Sequence, residues 1–270
     1  MAQETIKIMN ELFIPATIIV GVFSYLVACI VMKIEPNLAN LLAISIFTAG
    51  LNSFNNYFDI PEDMISKPTR PLPSQKINPF KSLILTFALL VLAVLISYGN
   101  TLSFQIMIVW GFLALFYSVP PIRLKCIPIL NTALIASNYI LLPWLLAWSQ
   151  ANVGFPITLV SILFVIAFGS VISKDFEDAK ADAMLKNRTI PVVWGTKKAV
   201  LITRVLTIGG VLVLMIYLLS FSTIASLLCL PALLVFFYIS KGLERKNGRK
   251  TLTKEFMIAG SMALVPLLVL

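Results

Sequence analysis

Two stretches of the chain set carboxylates four residues apart among bases. The first, NNYFDIPEDMISKPTRP, carries Asn55, Asp59 and Asp63 in the spacing N-x-x-x-D-x-x-x-D, accompanied by Asn56, Glu62, Lys67 and Arg70. The second, SKDFEDAKADAMLKNRTIP, carries Lys174, Asp175, Asp178 and Asp182. Steps of four keep side chains on one stripe of a helix. Two unit charges about 6 Å apart repel by ~3 kcal/mol at an effective dielectric near 20, so converging aspartates need cations. Hard divalent ions meet that need: Mg²⁺ takes carboxylate and phosphate oxygens and keeps several waters. Lys67, Arg70, Arg123, Lys125 and Arg188 are then placed to neutralise the outer oxygens of a diphosphate. Acids, metal and bases together describe a polyphosphate site.

Both clusters close a hydrophobic run, and the composition says what those runs are. Of 270 residues, 59% are hydrophobic and only 12% charged, about half of what a soluble domain carries. The mean hydropathy is +0.95. A bilayer-crossing helix needs about 20 apolar residues, and nine segments qualify as candidates: Leu12–Met32, Leu38–Phe58, Leu83–Tyr98, Leu102–Val119, Leu130–Trp148, Phe155–Ser173, Ala199–Ser220, Ile224–Ser240 and Phe256–Leu270. The predicted fold is an all-α polytopic bundle forming a single domain, with a central cavity opening near the cytoplasmic side.

The connections alternate between short, nearly uncharged turns and longer basic loops. On nine spans, 20 of the 21 lysines and arginines fall on one face, with Lys33 alone opposite. The positive-inside rule puts that face, and the N-terminus, in the cytoplasm of a multi-pass membrane protein. The same rule accounts for the net charge of +9 without nucleic acid. No histidine is present and the three cysteines have no CxxC spacing, which argues against a zinc site, a disulfide framework and the commonest general base. The apolar N-terminal run lacks an A-x-A cleavage pattern and reads as the first span, not as a signal peptide.

A shift that carries 59 to 178, 63 to 182 and 67 to 186 superposes Asp–Asp–Lys on Asp–Asp–Lys. This points to a weak internal repeat, roughly residues 12–125 and 130–241, whose equivalent helix ends face each other across a cavity. One local feature conflicts with a continuous helical stripe. Pro61 lies between Asp59 and Asp63 and disfavours helix at Ile60, so either the span kinks there or Asp63 is reached from a non-helical turn.

These residues resemble the UbiA superfamily of intramembrane prenyltransferases. The family pattern N-D-x-x-D-x-x-x-D followed by K-x-x-R-P reads here as Asn55, Asn56, Asp59, Asp63, Lys67, Arg70 and Pro71; K-D-x-x-D-x-x-x-D reads as Lys174, Asp175, Asp178 and Asp182. FYSVPPIRLK, Phe116 to Lys125, is similar to the Y-S-x-P-P-x-x-x-K stretch after the fourth helix. Two positions depart. Asn56 stands where the family commonly has Asp, which implies one weaker metal contact, and Ser170 stands where it often has Tyr.

The resemblance implies Mg²⁺-dependent transfer of a prenyl group from its diphosphate to a lipophilic acceptor, with two ions held by the two clusters through Asn55, Asp59, Asp63, Asp178 and Asp182. Asp59, Asp63, Asp175, Asp178 and Asp182 would carry the chemistry. Asn55, Lys67, Arg70, Tyr117, Arg123, Lys125, Lys174, Lys186 and Arg188 would bind substrate. Tyr57, Tyr117, Tyr139, Trp144 and Phe168 are candidates to line the cavity around the allylic cation, and Asp175 is the candidate proton acceptor. Within the superfamily the chain is most similar to archaeal digeranylgeranylglyceryl phosphate synthases, which implies geranylgeranyl as the donor chain and geranylgeranylglyceryl phosphate as acceptor. YSVPPIRLK followed by NYILLPW is also similar to chlorophyll-synthase-like members, so an aromatic acceptor stays open. A secondary transporter is the alternative from another class, although its coupling acids belong near the bilayer midplane and these crowd helix ends.

Overall fold

The computed structural model describes residues 2–243 and 252–270, and all of its regular structure is helical. Arg245, Lys246, Arg249 and Lys250, part of the basic face expected above, lie outside the described residues. Among the described residues fourteen α-helices follow in order: α1 (Ala2–Phe13), α2 (Pro15–Met32), α3 (Leu38–Phe58), α4 (Ile60–Ser66), α5 (Pro79–Ile96), α6 (Thr101–Ser118), α7 (Pro128–Tyr139), α8 (Leu141–Trp148), α9 (Ile157–Met184), α10 (Ile190–Arg204), α11 (Gly210–Leu219), α12 (Thr223–Leu227), α13 (Leu230–Gly242) and α14 (Leu252–Met262).

Among the described residues seven helical segments are long and apolar enough to cross a membrane: α2, α3, α5 with its final turn, α6, α9, α10 running into α11, and α12 with α13. An eighth arises if α7 and α8, bent by 41°, count as one span. The bend has a local cause: Pro143 has no N–H to give the carbonyl four residues back, so the ladder breaks at Ile140. The ninth expected segment, Phe256–Leu270, forms most of α14 and a 3₁₀ turn, Val265–Val269, in place of one long helix. The first is divided too. Ile14 takes a left-handed conformation (φ 47°) ahead of Pro15, separating amphipathic α1 from α2.

Two features position the functional end of the bundle. First, α9 does not stop where hydropathy falls after Ser173 but continues as one helix to Met184. It is held by close packing: a Cβ on Gly169 would stand 2.8 Å from the Leu206 side chain, and one on Gly210 2.6 Å from Ile166. Only glycine permits that approach between α9 and the partner span, which carries a π-helical turn at Val205–Gly209. Second, α3 ends at Phe58 and α4 starts at Ile60, with Asp59 at the joint (φ −91°, ψ 2°). The kink alternative holds. Pro61 sits in the first turn of α4, where its missing N–H costs nothing.

Candidate active site

The ends of α3 and α9 meet, together with α4 and the turn after α6, around a cavity of about 770 Å³. Asn55, Asp59, Asp63, Lys67, Arg70, Tyr117, Lys125, Lys174, Asp175, Asp178 and Asp182 all border it. Eleven of the residues singled out by spacing or resemblance are thus brought together from four parts of the chain.

Around the first cluster the partners are mostly cationic. Lys125 pairs with Asp59 and, at 3.1 Å, with Glu62. Arg70 Nη1 donates to both oxygens of Asp63, at 3.1 and 2.8 Å. Asp63 is only 4% exposed, and this burial pushes its carboxyl above the usual range despite Arg70 beside it. Glu62 is nearly as buried, at 7%, yet its carboxyl is held below the usual range. Burial acts against charge there, but the field of Lys125 and the hydrogen bonds from Asn187 and Lys125 outweigh it. Asn55 accepts a 2.7 Å hydrogen bond from Ser118 on α6.

Neutral groups hold most of the second cluster. Asn131 on α7 donates to both oxygens of Asp175 (3.1 and 3.3 Å) and accepts from the Tyr117 hydroxyl at 2.7 Å. Asp182 accepts from Asn187 at 3.2 Å and from Thr189 at 3.3 Å. Asp178 has a cationic partner, and it comes from the other cluster: Lys67 Nζ reaches it at 2.6 Å.

Three expected site residues stand elsewhere. Arg123 does not border the cavity; it turns to Glu62 and the Phe58 carbonyl, bracing α4 from behind. Lys186 and Arg188 are exposed past the end of α9, beyond the cavity wall. Of the five aromatic candidates, Tyr117 and Tyr139 border cavities, whereas Trp144 is fully buried in the core and Tyr57 packs edge-on against Phe58. Phe168 likewise packs against the core.

Other residues at the site were not singled out by spacing. Asn131, Asn187 and Thr189 orient the acids, and Glu62 had been noted only as a companion. Asn56 has a role that its departure from the family pattern obscured. Its amide donates to the carbonyls of Glu11 (3.2 Å) and Leu12 (3.0 Å), capping α1 against α3, while Asn52 donates to the Phe13 carbonyl at 2.7 Å. An aspartate has no proton to give those carbonyls. Ser170 spends its hydroxyl on the Ile166 carbonyl of its own helix.

Two apolar compartments adjoin the polar cavity on either side of α7. The larger, about 640 Å³, runs between α7, α9 and α14 and has Lys174 at the shared wall. The other, about 400 Å³, lies between α3, α6 and α7, sharing Asn55 and Tyr117 with the polar cavity. Ile135 of α7 borders both.

The donor set is hard oxygen, as Mg²⁺ requires. Among the described residues no three acids converge tightly enough to chelate an ion unaided, so substrate oxygens and water would have to complete any coordination shell.

The UbiA prenyltransferase family model matches residues 15–264. A digeranylgeranylglyceryl phosphate synthase from Methanosphaera stadtmanae is 26% identical over 216 residues, 79% of this chain and 78% of that protein. The bacteriochlorophyll synthase 33 kDa chain of Rhodobacter capsulatus is 30% identical, but over only 54% of this chain and 50% of its own length. A UbiA homologue from Archaeoglobus fulgidus, solved bound to DMAPP and Mg²⁺, shares the fold at a TM-score of 0.73 and 19% identity, over 95% of this chain and 99% of that one. With these likenesses and the bundle of apolar helices, the chain belongs to the UbiA prenyltransferase family and is a multi-pass membrane prenyltransferase.

Proposed function

We propose that the protein transfers a geranylgeranyl group from its diphosphate to the hydroxyl of geranylgeranylglyceryl phosphate. The observation that carries this reading is the pair of apolar compartments flanking α7, both adjoining one acid-and-base-lined cavity. Two substrates that each carry a long apolar chain need two such compartments and a polar junction between them. A small aromatic acceptor has no use for the second.

In this reading Asp59, Asp63, Asp178 and Asp182, with Asn55, would hold two Mg²⁺ ions. Bound there, the metal would draw off the negative charge that grows on the diphosphate. Lys67, Arg70, Lys125 and Lys174 border the same cavity and face the remaining diphosphate oxygens as the bond from prenyl C1 to oxygen breaks and its electron pair leaves with the diphosphate. The allylic carbon, now electron-poor, is shielded from water by the apolar walls on either side of α7, with the Tyr117 ring at the junction. The acceptor oxygen bonds C1 and its proton passes to Asp175, which Asn131 holds in place. Asp59–Asp63 and Asp178–Asp182 act as the matching ends of two halves of one domain. The base-rich face, and with it the cavity mouth and N-terminus, lies in the cytoplasm.

The likeness to a bacteriochlorophyll synthase chain supports a second reading, with a ring-bearing acceptor. One assay separates the two: detergent-purified protein, geranylgeranyl diphosphate, Mg²⁺ or chelator, and three acceptors, with products read by mass spectrometry. The expected result is Mg²⁺-dependent product from geranylgeranylglyceryl phosphate. Product only from 4-hydroxybenzoate or homogentisate would move the reaction to quinone or pigment synthesis.

A further inference from the structure

Glu62 lies between the two aspartates of the first cluster, on α4, and its Oε1 accepts from Arg123 Nη2, from Lys125 Nζ at 3.1 Å and from Asn187 Nδ2 at 3.0 Å. Two of those donors also hold an acid that faces the cavity: Lys125 pairs with Asp59, and Asn187 donates to Asp182 at 3.2 Å. One carboxylate therefore joins the first cluster to the second across 125 positions of sequence. Its other oxygen, Oε2, is buried and has no hydrogen-bond partner among the described residues. A buried carboxylate oxygen left unpaired is costly, and one that stays so beside a shared ammonium has a place for that ammonium to go.

We propose that Glu62 is a positioning residue for both acidic clusters: it offers Lys125 a second carboxylate, so that the ammonium can give up Asp59 to a divalent cation, and through their shared Asn187 amide it fixes the orientation in which Asp182 meets that cation. The proposal rests on the reading of these clusters as cation sites. The Lys125 ammonium and a divalent ion compete for the same Asp59 oxygen. With Glu62 present, Lys125 gives up one carboxylate and keeps another, so the exchange leaves no unpaired buried ammonium. Arg123 stabilises the charge on Glu62 from the side away from the cavity, on a backbone held in the left-handed region (φ 40°).

The test uses Mn²⁺ alone as the probe, its binding to the purified full chain followed by water-proton relaxation, with thermal melting as the check on folding. Glu62→Gln is expected to weaken Mn²⁺ binding by roughly 10–100-fold, the range for groups that orient metal ligands. Adding Lys125→Met to Glu62→Gln is expected to recover most of that loss, because no ammonium then remains to hold Asp59. A role confined to stability would lower the melting temperature in both variants and recover nothing. Lys125→Met alone is expected to bind Mn²⁺ at least as tightly as the unaltered chain, which keeps the test open if Glu62→Gln fails to fold. Unchanged affinity in folded Glu62→Gln, absence of recovery in the double variant, or weaker binding in Lys125→Met would each overturn the proposal. If the unaltered chain binds no Mn²⁺, or binds it unaffected by Asp59→Ala and Asp178→Ala, the cation-site reading itself falls, and the role of Glu62 with it.

Discussion

The two acidic clusters have the same spacing and are held in opposite ways. Asp59 and Asp63 straddle a broken helix, and the groups that fix them are the cations Lys125 and Arg70. Asp175, Asp178 and Asp182 ride one uninterrupted helix, and the outer two are fixed by Asn131, Asn187 and Thr189. The first cluster thus depends on charges that the proposed reaction also asks to bind diphosphate. In the second, Asp175 and Asp182 are held by neutral groups and Asp178 alone pairs directly with such a charge. Lys67, which belongs to the first stretch of sequence but pairs with Asp178 of the second, ties one cluster to the other.

The sharpest way to break this comparison is to remove one acid from each side. Asp59→Ala and Asp178→Ala should each lower kcat/KM by roughly 10²–10³-fold, the size of loss seen when one preorganised electrostatic group is removed. Steady-state assays with geranylgeranyl diphosphate measure it, and a loss confined to one variant would mean that only one cluster serves the reaction.

A second pair tests how each cluster is supported. Arg70→Met leaves buried Asp63 without its counter-ion and should cost about 3 kcal/mol, the low end for a broken buried pair because Arg70 is itself partly exposed. Asn131→Ala removes neutral donors from Asp175 and should cost about 1–2 kcal/mol. Melting in detergent at several salt concentrations reads both. The Arg70 effect should shrink with salt and the Asn131 effect should not; equal salt dependence would erase the distinction.

The smallest expected effect concerns Asn56. Asn56→Asp restores the residue the family commonly carries but removes both hydrogen bonds to the end of α1, at a cost of about 1 kcal/mol. Limited proteolysis should show faster cleavage within α1. Unchanged cleavage would show that the cap is dispensable, and a gain in Mg²⁺ affinity would give the position back to the metal.

Much of this was legible because hydropathy and helical period act locally. The long apolar runs had to become helices, since a bilayer core offers the backbone no other partners. The acids fell on helix ends because charge is expensive further in. Local rules were less informative at boundaries. The drop in hydropathy after Ser173 marked where lipid contact ends, not where α9 ends. Pro61 left two geometries open, and the joint at Asp59 chose the kink.

By itself, then, the sequence determined the all-helical bundle and the two acidic clusters, each a property of residues within a few positions of one another. Only the tertiary structure decided which bases face the cavity. Lys125 points in, while Arg123, two residues away, braces Glu62 and Lys186 and Arg188 stay outside. Only it brought in Asn131 and Asn187, whose amides carry no charge and follow no period. The physical reason is reach. A hydrogen bond is made over about 3 Å, and whether two side chains come that close depends on how helices far apart in sequence pack.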